Sequence, residues 1–252
     1  MKLVRYATDG GPAYGEVDGE RVWELAGSIF EAPRRGGAWL PLSAIRILPP
    51  VVPSKFLLVS LNYQEVITQL GYPRPPNPIL FLKAPSAIIP PGAGVRYPAA
   101  SKRVTFEPEL VVVIGRECRR VPEARALDFV LGYTITNDLS ARDIQEAEGQ
   151  YTRCKSFDTF GPLGPYIVTG IDASDLAIRG HRNGQCVIAT RTRNLIFGLA
   201  HLVHFASECM TLYPGDLIAT GASGVAEVHV GDTVTCEIEG IGELTNPIVP
   251  WE

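Results

Sequence analysis

The segment that most constrains how this chain can fold is Phe106-Glu107-Pro108-Glu109-Leu110 running into Val111-Val112-Val113-Ile114-Gly115. Four β-branched residues in succession favour a strand over a helix. Glu107 and Glu109 stand two positions apart where that strand begins, so their side chains point to the same side of the backbone. Two carboxylates on one face need a cation or a proton between them. Asp138 follows the next strand-like run, Phe129 to Thr136, and pairing of the two runs, parallel or antiparallel, brings it beside the glutamates. Three carboxylate ligands with water completing the shell suit Mg²⁺ or Mn²⁺ better than a thiolate-seeking metal.

A chain of 252 residues with 46% hydrophobic residues can bury a substantial core, as one large domain or as a domain with a small companion. The formal net charge of −4 gives no electrostatic reason to expect nucleic acid. The one basic cluster, Arg116 to Arg120, is interrupted by Glu117 and Cys118 and reads as a solvated turn. The five cysteines form no CxxC pair and are odd in number, which argues against a disulfide framework or a structural zinc site. The expectation is a reducing, cytoplasmic setting. The first residues lack the apolar core of a signal peptide, and no run reaches the roughly 18 apolar residues of a membrane span.

Turn signals at Asp9-Gly10 and Asp18-Gly19 divide the first segment into a small antiparallel meander that ends near Pro49, Pro50 and Pro53. Ser54 to Ser60 reads as a strand. Tyr63 to Leu70 can make two helical turns, after which Gly71, Pro73, Pro75, Pro76 and Pro78 forbid continuation. Such a helix on a proline-rich loop has the composition of a movable cover and equally of a rigid surface excursion. Ile79 to Leu82, Ser86 to Ile89, Leu110 to Ile114, Leu163 to Val168, Leu176 to Asn183, Leu217 to Thr220 and Val234 to Glu239 are further strands, with Asn183-Gly184 the strongest hairpin signal. Glu123 to Phe129 is a short helical stretch. Arg142 to Glu148 is a helix that Ser140 can cap, and Thr192 to Glu208 is the longest helix expected, on the spacing of Leu195, Leu199 and Leu202. Strands outnumber helices, and there is no internal repeat.

Lys155, in Cys154-Lys155-Ser156-Phe157-Asp158, offers an ammonium to a substrate carboxylate or a developing enolate. Arg142 can pair with Asp143 or Glu146 or bind an anionic substrate; Gln145 and Tyr151 are weaker candidates on the same segment. Gly221-Ala222-Ser223-Gly224 lacks the frame of a nucleophile elbow and reads as a loop whose N–H groups can meet an oxyanion. His201 and His204 share a helical face without the remainder of a zinc motif. Cys154 has no histidine near it in sequence and reads as a buried, inert thiol. Neither a dinucleotide fingerprint nor a P-loop is present.

The series Ser60-Leu61-Asn62-Tyr63, Phe81-Leu82-Lys83-Ala84-Pro85-Ser86, Glu107 to Gly115, Gly132-Tyr133-Thr134, Asn137 to Gln145, Lys155-Ser156-Phe157-Asp158, Leu212 to Asp216 and Gly240-Ile241-Gly242 resembles the fumarylacetoacetate hydrolase family, over Ser54 to Val249. The resemblance implies a mainly β fold with few helices, a mixed β-sandwich or roll, with a small N-terminal β domain at residues 1–52 and the catalytic domain at 53–252, usually as a homodimer. It also implies that Glu107, Glu109 and Asp138 are divalent-metal ligands, for Mg²⁺ with Mn²⁺ or Ca²⁺ able to take its place, and that Lys155 is the active-site lysine. Glu65 is a second catalytic candidate. Arg142, Gln145, Lys83, Tyr63, Thr220 and Gly221 lie in or beside the matching motifs and are expected to bind substrate.

Members of that family act on 2-oxo or 2,4-dioxo acids, and the shared chemistry is stabilisation of an enolate by the metal. Hydrolytic members carry a histidine three residues beyond the tyrosine of the Asn-Tyr motif and a glutamate three further on, which together activate water. Here those positions are Val66 and Gln69, and neither takes a proton from water near neutral pH. Glu65 is adjacent, but on a helix it points about 100 degrees away from position 66. Decarboxylation needs mainly an electron sink, and isomerisation a proton shuttle. The first expectation is therefore a divalent-metal-dependent isomerase or decarboxylase of 2-oxo or 2-hydroxy-diene dioates in aromatic-compound catabolism. The second is an acylpyruvate or fumarylpyruvate C–C bond hydrolase. The third is a metal-binding structural partner of an active paralogue, with no membrane or nucleic-acid partner in any case.

Overall fold

The computed structural model describes residues 1–251. The chain is mainly β with few helices, as expected, and the strand Pro108–Ile114 lies inside a 12-stranded sheet. That sheet runs from Arg34–Pro41 at one edge through Arg21–Ala26, Gly11–Asp18, Lys2–Thr8, Gly161–Val168, Val130–Asn137, Pro108–Ile114, Leu217–Ala219 and Phe56–Ser60 to Ile79–Lys83 at the other. Every residue of Pro108–Ile114 is buried because both faces are covered. Leu110, Val112 and Ile114 pack with Ile178, Leu202 and Val234, and Val111 and Val113 pack with Leu3, Phe56 and Leu217. The period-two alternation thus divides one strand between two cores.

The N-terminal meander forms with the expected turns, and it joins the large sheet: Lys2 pairs with Val168 and Leu3 with Ile167. A second sheet of five strands contains the hairpin Ala177–Arg182 and Gln185–Arg191, whose turn residues Asn183 and Gly184 both have positive φ. A third, of three strands, pairs Val104–Phe106 with Ser140–Ala141 and Ala226–Val228. Among the described residues no helix is long and apolar enough to cross a membrane.

Three local expectations are corrected. The helix expected over Thr192 to Glu208 is a single 3₁₀ turn, Thr192–Asn194, followed by the α-helix Leu199–Cys209. The buried Asn62 side chain accepts from Phe197 N at 2.8 Å and donates to Phe197 O at 3.1 Å, and the Asn62 backbone carbonyl accepts from Ile196 N at 2.9 Å, which holds that segment out of helical geometry. Residues 85–87 form a 3₁₀ turn because Pro85 opens it, leaving only Ile88–Ile89 as strand. Ser140 does not cap the helix Arg142–Glu148. Its hydroxyl is instead committed to Glu107 Oε1 at 2.6 Å.

Candidate active site

The antiparallel register sets Pro108 opposite Asn137, so the start of one strand and the end of its neighbour lie side by side. Asp138 N donates to Glu107 O at 2.9 Å, and Glu107 N donates to the Asn137 side chain at 3.1 Å. The chain crosses from the three-stranded sheet to the large sheet at Glu107, between Val104–Phe106 and Pro108–Ile114. Carboxylate oxygens of Glu107, Glu109 and Asp138 all come within 4.8 Å of one another, and all three residues are buried. The pairing left open by the sequence is antiparallel, and it assembles the cluster.

Three cations face these acids. Lys155, on the short helix Thr152–Lys155, contacts Asp138 Oδ2 and lies 3.2 Å from Glu107 Oε1. Arg142 Nη2 is 2.6 Å from Glu107 Oε1, while Nε is held by Thr105 Oγ1 at 3.1 Å and Nη1 by Gln145 Oε1 at 2.9 Å. Lys83 Nζ is 2.9 Å from Asp138 Oδ1 and also donates to Phe160 O at 2.7 Å. Desolvating a charge costs several kcal/mol per ion, so six clustered charges are a poor route to stability and point to chemistry.

Burial and the neighbouring Asp138 push the Glu109 carboxyl well above its ordinary value, although the 2.8 Å bond from Gly221 N works the other way. Burial alone would raise Asp138 as well, but Lys155 and Lys83 outweigh it and hold that carboxyl low. For Lys155 burial is outweighed by Asp138 and Glu107, and the ammonium is held above its ordinary value. Lys83 goes down, because burial exceeds the pull of Asp138. The Glu109 side of the cluster is therefore short of positive charge. An all-oxygen donor set of three converging carboxylates with that deficit fits a hard divalent cation such as Mg²⁺ or Mn²⁺.

The cluster opens into a chamber with only about 30 Å³ of free space. Its roof is the helix Gln64–Leu70, with Val66 and Leu70 facing inward, and Tyr72 beyond it. Gln69 is turned to the glycine loop, where its amide receives Val225 N and donates to Val225 O, both at 3.2 Å. One wall is Tyr151, stacked on Phe81 at 4.5 Å and bonded through its hydroxyl to Ser60 Oγ at 2.9 Å.

Of the residues singled out from sequence, Glu107, Glu109, Asp138, Lys155, Arg142 and Gln145 line this chamber together. Glu65 does not: it is exposed, with Oε1 3.3 Å from Asn194 Nδ2, because the helix turns position 65 outward when Val66 faces in. Lys83, expected to bind substrate, is fully buried behind Asp138, which it anchors, and lies outside the chamber lining. Tyr63 and Thr220 lie outside the chamber lining, with hydroxyls buried and without a protein partner. Gly221 donates its N–H to Glu109 and is committed to the cluster, in place of the oxyanion contact expected. It has to be glycine, since φ is +92° and a Cβ would stand 2.9 Å from Val59 O.

Cys154 is buried with its thiol pushed up to about 11 by burial, as its inert reading requires. The histidines bind no common point: His201 pairs with Glu123 and His204 with Val121 O. Sequence reasoning missed Ser140 as a partner of Glu107, and Ser60 and Phe81 as the support of Tyr151. These contacts span 33, 91 and 70 positions, and no local pattern encodes them.

Comparison with known proteins matches residues 55–249 to the fumarylacetoacetate hydrolase C-terminal domain and residues 1–50 to an Rv2993c-like N-terminal domain. Protein Rv2993c of Mycobacterium tuberculosis is 44% identical, over 99% of this chain and 98% of its own. The crystal structure of 2-hydroxyhepta-2,4-diene-1,7-dioate isomerase from Mycobacterium marinum superposes with a TM-score of 0.92 at 43% identity, covering 99% of this chain and 98% of that one. That of 5-carboxymethyl-2-hydroxymuconate delta-isomerase from Mycobacterium smegmatis gives 0.92 at 44%, covering 99% and 100%.

Proposed function

The chain belongs to the fumarylacetoacetate hydrolase family, and from that premise we propose that it is a divalent-metal-dependent isomerase or decarboxylase of 2-oxo or 2-hydroxy-diene dioates, of the kind met in aromatic-compound catabolism. The observation that carries the reading is Val66. The position from which a base would reach water faces the carboxylate chamber, and it holds an aliphatic side chain. Glu65 faces away, and the Gln69 amide is occupied at Val225. The reactions compatible with this chamber need no activated water.

Glu107, Glu109 and Asp138 would hold the metal, with Mg²⁺ the first choice and Mn²⁺ or Ca²⁺ acceptable to the same oxygens. When bound, the metal withdraws electrons from a chelated 2-oxo acid and stabilises its enolate. Arg142 uses three of its five N–H groups on Thr105, Gln145 and Glu107, leaving two to fix a substrate carboxylate. Lys155 uses two N–H groups on Asp138 and Glu107, which leaves a third free in the chamber that the residue lines. Loss of carbon dioxide and migration of a double bond both end with a proton delivered to the enolate carbon, and Lys155 Nζ is the donor within reach. Val66 and Leu70 keep bulk water from the same carbon.

The test is product analysis by NMR, with and without EDTA, on oxaloacetate, acylpyruvates and five- to seven-carbon 2-hydroxy-dienedioates. Metal-dependent carbon dioxide release or double-bond migration is the expected result. Cleavage to pyruvate and a second acid would overturn the proposal in favour of hydrolysis, and silence across the panel would favour a structural partner of an active paralogue.

A further inference from the structure

The chamber is too small for the substrates its chemistry suits. About 30 Å³ admits one or two waters, whereas a five- to seven-carbon acid needs several times that space. A second cavity of about 540 Å³ adjoins it on the outer side. Leu61, Tyr72, Gln145 and Tyr151 line both and form the partition between them. A substrate with its 2-oxo acid end against the carboxylates therefore sends its tail past this partition into the outer cavity.

Arg74 lines the outer cavity, and every other side chain that does so is uncharged. Among the described residues its guanidinium makes no ion pair and no hydrogen bond; the same holds for Arg34, Arg46, Arg96, Arg119 and Arg120, but none of those lines this cavity. Pro73 precedes it and Pro75 and Pro76 follow, so the backbone carrying it is stiff before anything binds. A cation left free on a rigid mount beside an otherwise neutral cavity is preorganised for an anion, and a guanidinium matches the fork of a carboxylate.

We propose that Arg74 binds the remote carboxylate of the substrate and so selects diacids over acids with an uncharged tail. The inference rests on the reading of the inner chamber as a 2-oxo acid site and adds to it the residue that reads the far end. Arg74 is a specificity-determining residue outside the reacting centre.

The test is calorimetric binding to the full-length, Mg²⁺-loaded protein of two six-carbon probes, 2-oxoadipate and 2-oxohexanoate, which differ in the remote carboxylate. Wild type is expected to prefer the diacid about tenfold, as a bidentate charged contact implies. Arg74→Ala should abolish that preference by weakening 2-oxoadipate alone, Arg74→Lys should restore part of it, and Arg74→Glu should reverse it, with melting temperatures unchanged because the side chain is exposed. Equal affinity of wild type for the two probes, binding of neither, or a parallel loss of both in Arg74→Ala would overturn the proposal. Because the readout is binding, an intact diacid preference in a protein that turns over no substrate would condemn the proposed reaction and leave the assignment of Arg74 standing.

Discussion

Glu109 carries the sharpest electrostatic conflict in the chamber. It is 2% exposed, and burial with Asp138 pushes its carboxyl up. A ligand carboxyl must be ionised to bind a cation, so metal uptake should release protons, and affinity should rise with pH. Calorimetry of Mg²⁺ binding in two buffers of different ionisation heat, near pH 6, checks this: equal heats would mean that no proton leaves. Glu109→Gln keeps an acceptor for Gly221 N while removing the charge. It should lower turnover about 10²–10³-fold, the scale of losing one preorganised electrostatic contact, while circular dichroism and melting stay close to wild type.

At the scale of elements, the helix Gln64–Leu70 places Val66 over the carboxylates, and on the proposed reading that side chain selects the reaction. Positions 66 and 69 are a turn apart and can interact. Val66→His with Gln69→Glu places a base over the carboxylates, and acylpyruvate hydrolysis should rise about 10²-fold, the lower end of general-base contributions. Steady-state assays of acetylpyruvate cleavage would measure it, and a flat response would show that water does not reach position 66. Gln69 also ties the roof to the glycine loop through Val225, so Gln69→Ala alone should loosen the roof and speed hydrogen exchange in residues 64–70.

At the scale of the whole molecule, two features join distant parts of the chain. Asp216, in the Tyr213-Pro214-Gly215-Asp216 turn, accepts from Ser54 N, Ser54 Oγ, Lys55 N and Tyr213 N and pairs with Lys55 Nζ at 2.6 Å. Burial opposes its ionisation, but the Lys55 ammonium and the Ser54 hydroxyl outweigh it and depress the carboxyl below its ordinary value. A depressed folded value gives stability that is present above the unfolded carboxylate value and is lost as pH falls through the folded one. Resistance to urea unfolding should therefore fall below about pH 4 in wild type, and less steeply in Asp216→Asn. Asp216→Ala should cost about 1–3 kcal/mol at pH 7, because the N–H groups of Ser54, Lys55 and Tyr213 lose their acceptor while the partly exposed Lys55 ammonium can turn to water. The other feature is the pairing of Lys2–Thr8 with Gly161–Val168. Deleting residues 1–50 uncovers that strand together with the pocket filled by Leu3 and Ile29, and soluble yield and melting temperature should both fall.

The sequence alone determined the mainly β class, the hairpin at Asn183-Gly184 and the three carboxylates, because strand preference, turn chemistry and the Glu-Pro-Glu spacing act over a few residues. It also determined that Val66 and Gln69 cannot serve as a water-activating pair, since that follows from side-chain chemistry. Tertiary structure decided that Lys83 sits behind Asp138, that Ser140 serves Glu107 and not its own helix, that Asn62 shortens the helix after Thr192, and that Glu65 looks outward. It also opened the cavity in which Arg74 is the one charged side chain. Each of those outcomes joins groups tens of residues apart or depends on which face a short helix turns to the core, and packing, not local preference, sets both.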